Sequence, residues 1–211
     1  MNIIESLRLS EWKHYKSKKR ARLTNTTPTI IASNCVGTMI YQDMRLPVCS
    51  PTINLGILMN DFVRFCENLE WYLEQPLYRI EDEDASCPVG ILSDVKIYFG
   101  HYDTWEQAAR KWRLHSKLVD LNNLFFIGSE KDGCTYETLE RFERLPYKNR
   151  VILTKKAYPE FSSAFYIHGF ENQTEMGNLI AFRKGIWLRR YLDEFDYISF
   201  LNGEGILPLQ K

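Results

Sequence analysis

No run of about eighteen apolar residues occurs in this 211-residue chain, so no segment is expected to cross a bilayer as a helix. The first residues also lack the apolar core that a secretory signal needs. No C-x-x-C pair occurs. Cys35, Cys49, Cys66, Cys87 and Cys134 are odd in number and widely spaced, which argues against a disulfide framework or a zinc ribbon and offers no metal site. Net charge is lacking too: 27 Lys+Arg stand against 27 Asp+Glu, and nothing global draws the chain to nucleic acid, so no nucleic-acid partner is expected. G-x-G-x-x-G, G-x-x-x-x-G-K-[ST], G-x-S-x-G and H-E-x-x-H are all missing, which removes the common dinucleotide, P-loop, hydrolase-elbow and zincin signatures. Together these absences give the expectation of a soluble, cytoplasmic protein with reduced thiols.

What the chain does have is apolar bulk, 45% of residues with 14% aromatic, enough for one sizeable core. Its charge is unevenly placed. Residues 1–23 hold seven cations (Arg8, Lys13, Lys16, Lys18, Lys19, Arg20 and Arg22) against Glu5 and Glu11. Ile3, Ile4, Leu7 and Trp12 fall near helical spacing there. Residues 1–24 are therefore expected to form a basic helix or arm. It either packs one apolar stripe on the body or lies on anionic lipid with Trp12 as the wedge, making the protein peripheral at the inner face of a membrane. An RNA-binding arm is the weakest option, because it leaves a net-acidic body behind it.

The rest alternates short β-type runs with amphipathic helices. Strands are expected at Thr29–Ser33, Leu77–Ile80, Val95–Phe99, Leu124–Ile127, Val151–Thr154, Phe165–His168 and Tyr197–Leu201. Helices are expected at Asn60–Glu74, capped by Asn60 and stopped by Pro76, and at Thr104–Leu118, with a Thr104/Gln107 capping box. Two more fall at Thr135–Arg144 and near Ile186–Leu192. The alternation implies an α/β fold, a mostly parallel sheet with helices on both faces, built as one domain over 25–211 or as two small Rossmann-like lobes meeting near 81–90.

In such sheets ligands sit at the carboxyl ends of strands. The first strand runs into Asn34-Cys35-Val36-Gly37, a turn whose helix start suits a phosphate or carboxylate, although Asn34 and Gly37 equally suit a plain turn. Tyr41, Gln42, Ser50 and Asn54 follow in a stretch of small polar groups suited to sugar hydroxyls, where Ser50-Pro51 and Asn54 also serve as turn and cap. Asp43 is a candidate general base if burial raises its pKa. His101-Tyr102 again follows a strand, and His101 is a second acid–base candidate or a loop hydrogen-bonder; with Cys35 it would make a thiolate pair if the two met. Lys111 and Arg113 lie on a basic helix face that is either solvated or a phosphate clamp. Asp82-Glu83-Asp84 has a D-x-D spacing but sits in an all-acidic run, and is read as solvated surface.

Three blocks then stand out: Ser33-Asn34-Cys35-x-Gly37, Tyr41-Gln42-Asp43 and Ser50-Pro51-Thr52-Ile53-Asn54-Leu55. With His101-Tyr102, Ala108…Lys111-Trp112-Arg113 and Leu145-Pro146-Tyr147-Lys148-Asn149, they resemble an uncharacterised bacterial family, a domain of unknown function often labelled exopolysaccharide biosynthesis protein. The likeness covers about residues 28–202. It departs where the family places a second asparagine after the serine and a second arginine after Arg113, here Leu114. The resemblance implies an α/β fold and work on cell-surface polysaccharide, and supplies no catalytic residues and no cofactor. The resulting expectation is a transferase-like site for a nucleotide-sugar or sugar-phosphate. The alternatives are a non-catalytic partner of a membrane-associated polysaccharide complex and an acyl- or pyruvyl-type transferase.

Overall fold

The computed structural model describes residues 3–206; the ends of the expected 1–24 and 25–211 segments, residues 1–2 and 207–211, lie outside the described residues. Its centre is a four-stranded parallel sheet of β1 (Thr29–Ala32), β5 (Leu124–Ser129), β6 (Arg150–Thr154) and β7 (Ala164–Tyr166), in the spatial order β1-β5-β6-β7. Strands buried on both faces read as continuous apolar runs, and β1, β5 and β6 do. Ile30, Ala32, Phe125, Ile127, Val151 and Leu153 face one way, towards α2 (Val36–Met44) and α7 (Tyr197–Leu201). Ile31, Phe126 and Ile152 face the other, towards α3 (Met59–Glu67) and α6 (Tyr136–Glu143).

The long excursion between β1 and β5 also carries a smaller sheet, an antiparallel meander of β2 (Leu77–Ile80), β3 (Val89–Leu92) and β4 (Val95–Tyr98). The second Rossmann-like lobe is therefore absent among the described residues: residues 81–88, near the expected lobe boundary, merely connect β2 to β3. Mutual backbone bonds between Gly56 and Tyr98, 2.8 and 2.9 Å, pin the meander to the segment that follows the β1 turn. α5 (Trp105–Ser116) closes over it, capped as expected by Thr104 Oγ1, which accepts the Gln107 N–H.

Three expected elements differ. The 60–74 helix is two, α3 and α4 (Leu69–Glu74), because Asn68 leaves helical geometry at φ −135°, and α3 starts after Leu58 rather than at Asn60. Tyr197–Leu201 is a helix, capped by Asp196, whose carboxylate accepts the Ile198 and Ser199 N–H groups. All five of its residues are buried, so its sequence shows no period by which helix and strand differ. Near Ile186–Leu192 there is a Phe182–Arg190 bridge and a short 3-10 turn, Tyr191–Glu194, instead of a helix.

β1 has one strand neighbour, so its outer edge needs other partners. Tyr41 supplies one: its hydroxyl accepts the Ile30 N–H at 3.0 Å and donates to the Pro28 carbonyl at 2.7 Å. Thr52 Oγ1 accepts the Ala32 N–H at 2.9 Å. Ser50 Oγ lies 3.1 Å from Thr52 Oγ1 and accepts the Thr52 N–H. Gly37 lets α2 come this close, since a Cβ there would stand 2.9 Å from Ala32 Cβ.

The basic N-terminal stretch is α1 (Ile3–Arg22), packed on the body through Trp12 and Lys19. Lys19 Nζ reaches Asp193 Oδ1 at 3.1 Å, and Arg190 bridges Asp193 and Asp43. Lys16 adds a contact to Asp43 at 3.5 Å, and Arg22 pairs with Asp196 at 2.6 Å. Burial pushes the Asp193 carboxyl up, but Lys19 and Arg190 outweigh it and hold it below its usual range.

Removing one partner of a buried ion cluster leaves a desolvated charge, so Arg190→Ala is expected to cost about 3–5 kcal/mol at pH 7. A carboxylate with a depressed folded pKa stabilises above its unfolded value, about 3.9, and loses that contribution as pH falls through the folded value. The denaturation gap between wild type and Arg190→Ala should thus narrow below about pH 4; a gap unchanged from pH 7 to pH 3 would contradict the cluster's role. Thr52→Val, nearly isosteric, leaves the Ala32 N–H unpaired and is expected to lower urea stability by about 1–3 kcal/mol.

Candidate functional site

The four parallel strands end on one side, and the chain's polar turns gather at β1 and β5. Asn34 ties them together. Its Oδ1 accepts the Val36 N–H at 3.1 Å, and its Nδ2 donates to Ser129 Oγ at 2.8 Å, joining the β1 turn to the end of β5. α2 begins at once. Its capping residue, Cys35, makes no side-chain cap, and no described hydrogen bond reaches the Gly37 or Thr38 N–H. The first turn of α2 thus presents free donors at the positive end of its dipole.

One cavity lies at that turn, and a second runs from Thr38 along α2 to Arg45 at its C-terminal end. The first, about 360 Å³, is lined by Asn34, Cys35, His101, Ser129 and Lys131, with the 177–180 loop as its far wall. The second, about 480 Å³, is lined by Thr38, Tyr41, Gln42, Arg45, Asn54, Tyr102, Lys111 and His115 among others. The neighbours His101 and Tyr102 fall one in each. The Tyr102 hydroxyl donates to the Ile53 carbonyl at 3.0 Å, which fixes the ridge between the cavities.

The second cavity is cationic. α5 brings Lys111 and His115 to one side of it, while its buried Ala108 and Trp112 hold the helix down. Arg45, the left-handed C-cap of α2 at φ 57°, completes the rim. Burial lowers the His115 pKa, and the Lys111 ammonium lowers it further. His115 Nδ1 is shielded from solvent and has no hydrogen-bond partner. Two permanent cations, an imidazole with an idle nitrogen and the amides of Gln42 and Asn54 make a receptor for an anionic, hydroxyl-rich molecule.

The sequence-expected residues divide accordingly. Asn34, Cys35 and His101 meet in one cavity; Tyr41, Gln42, Asn54, Tyr102 and Lys111 meet in the other. Asp43 joins neither: its carboxylate is buried against Arg190 and Lys16, so it is a structural anion rather than a base facing a substrate. Ser50 is fully buried in its bonds to Thr52. Arg113 is exposed and lines neither cavity, so the expected Asp43–His101–Arg113 constellation does not form. Gly37 serves helix–strand packing. Tyr41 contributes ring surface, its hydroxyl being spent on β1. Burial pushes the Cys35 thiol up, only partly offset by Lys131, and no hydrogen bond joins it to His101, so it forms wall and not an activated thiolate. Asp82 of the D-x-D run pairs with Lys96 at 3.1 Å.

Lys131, Ser129, Arg45 and His115 were not among the expected site residues. The strand-end rule that singles out Asn34 and His101 also reaches Ser129, which ends β5, and Lys131, two residues beyond it. Arg45 has no such signal, since its left-handed backbone is invisible in the sequence.

The model of a family described as "Domain of unknown function (DUF1919)" matches residues 7–202. A protein of Haemophilus influenzae named "Uncharacterized protein" is 42% identical over 181 residues, which is 86% of this chain and 87% of that one.

An anion in the second cavity would restore the charged form of His115 and raise its pKa. Because affinity then grows as the imidazole protonates, binding of sulfate, whose charge stays constant over this range, is expected to strengthen as pH falls below about 6.5. NMR titration of the His115 ring checks this: the pKa should start low and rise on adding sulfate, and a ring insensitive to sulfate would contradict the assignment.

Proposed function

The chain belongs to the DUF1919 family, and from that premise we propose that it binds a phosphorylated sugar along α2 for transfer during cell-surface polysaccharide assembly. The observation that carries this reading is the convergence of Arg45, Lys111 and His115 on one cavity along the flank of α2. Phosphate oxygens would meet the cations of Arg45 and Lys111, and sugar hydroxyls would meet Gln42 and Asn54. His101 and Lys131 line the neighbouring cavity, where His101 would accept the proton of an incoming hydroxyl and Lys131 would steady developing negative charge. Phosphorylated sugars are made in the cytoplasm, which agrees with five unpaired thiols. The polysaccharide setting rests on the resemblance of the blocks around Asn34, Gln42 and Asn54 to a family often labelled exopolysaccharide biosynthesis protein.

The test is a thermal-shift and calorimetric series with a uridine-diphosphate sugar, a sugar 1-phosphate, the free sugar and inorganic phosphate. A ligand at a hundred times its Kd adds about 2.7 kcal/mol of stability, which a melting shift resolves. The phosphorylated sugars should bind and the free sugar should not. Lys111→Ala and Arg45→Ala should each weaken binding about tenfold or more, the usual cost of losing a charged hydrogen bond. Binding that is indifferent to both substitutions, or none by any phosphorylated sugar, sinks the reading.

A further inference from the structure

Large apolar side chains stand exposed together at one end of the molecule. Ile3 and Leu7, on the first turns of α1, are 79% and 61% exposed. Ile186 and Trp187, in the loop after β7, are 79% and 53% exposed. That loop is fastened to the helix. Arg8 Nη2 donates to the Gly185 carbonyl at 3.3 Å, Arg189 grips both carboxylate oxygens of Glu11 at 2.7 and 2.8 Å, and Phe182 meets the Trp12 ring edge-on at 5.4 Å. Helix start and loop therefore form one surface. Trp12, the wedge expected from sequence, is 7% exposed and packs against Tyr15 and Phe182; Trp187 stands outside instead.

The surroundings are basic. Arg8, Lys13 and Lys18 on α1 and Lys184 on the loop belong to the same two segments as the apolar residues, while Glu11 is paired with Arg189 and Glu5 is the other acid on the helix. We propose that this surface seats the protein on an anionic membrane, with Leu7, Ile186 and Trp187 entering the headgroup–acyl boundary and the cations meeting lipid phosphates. Charge selects lipid as the occupant. Two copies of the chain face to face would bring like-charged rims together, whereas an anionic bilayer satisfies both the apolar centre and its cationic border. Among the described residues no helix is long and apolar enough to cross a membrane, so the contact is with the surface. The surface shares no residue with either cavity and does not depend on the sugar-phosphate reading.

The experiment is vesicle co-sedimentation of the full chain on phosphatidylcholine alone and on phosphatidylcholine with phosphatidylglycerol, at low and high salt. Wild type should partition to the anionic vesicles and lose that partition in high salt. The triple variant Leu7→Ser, Ile186→Ser, Trp187→Ser should lose about tenfold or more, because the inserted apolar area is gone. Lys13→Glu with Lys184→Glu should weaken binding with the apolar residues intact. All substituted positions are exposed, and unchanged circular dichroism confirms the fold. Absence of binding to anionic vesicles, equal binding to neutral ones, or undiminished binding by the triple variant overturns the proposal. So does self-association that the triple variant abolishes while vesicles are ignored, since a second copy would then cover the surface.

Discussion

The outer edge of β1 must have its backbone donors satisfied, and much of the molecule follows from how it is done. A parallel sheet with no further strand on that side leaves the Ile30 and Ala32 N–H groups facing outwards. Tyr41 and Thr52 accept them from side chains, so α2 and the 50–54 segment lie where their hydroxyls require. Gly37 permits the close approach. Once α2 is held there, its first turn must open where β1 ends, and both cavities border α2. Residues that read as a sugar-binding loop are in part edge carpentry that puts the binding surface in place.

A second constraint is electrostatic. α1 supplies Lys16, Lys19 and Arg22, and the segment around the 3-10 turn supplies Arg190, Asp193 and Asp196. These charges are buried or half-buried, and each answers another, as low-polarity surroundings demand. The cation-rich helix is thereby anchored through its second half. Its first half exposes large apolar side chains, Ile3 and Leu7 among them. The basic rim of the second cavity works differently: its cations are held near one another with no acid interposed, an arrangement that a bound anion relieves.

The α/β class, with helices on both faces, was legible from alternating runs, because period and length carry that information locally. β1, β2, β4, β5 and β6 stand where the β-branched and aromatic runs place them. Tyr197–Leu201 was misread because burial on every side erases the period. β3 was missed because Val89-Gly90-Ile91-Leu92 is short and begins beside Cys87-Pro88. For the site, the strand-end rule found Asn34, Cys35 and His101, which do share a cavity. It could not show that Asp43, one residue after Gln42 on α2, points to the opposite side and into Arg190. One step along a helix turns a side chain through about 100°, and only tertiary packing says which residue faces the cavity.

Lys19 and Asp193 are separated by 174 residues of chain, and Arg22 and Asp196 by as many. α1 is thus docked in large part by a segment far from it in sequence. Without that segment α1 keeps its contacts with α2, where Lys16 meets Asp43 and Arg20 donates to the Asp43 carbonyl at 2.8 Å. Seating α1 therefore closes a loop that contains the whole central sheet, and its ordering entropy is repaid only once that sheet has brought the 190–196 segment into place.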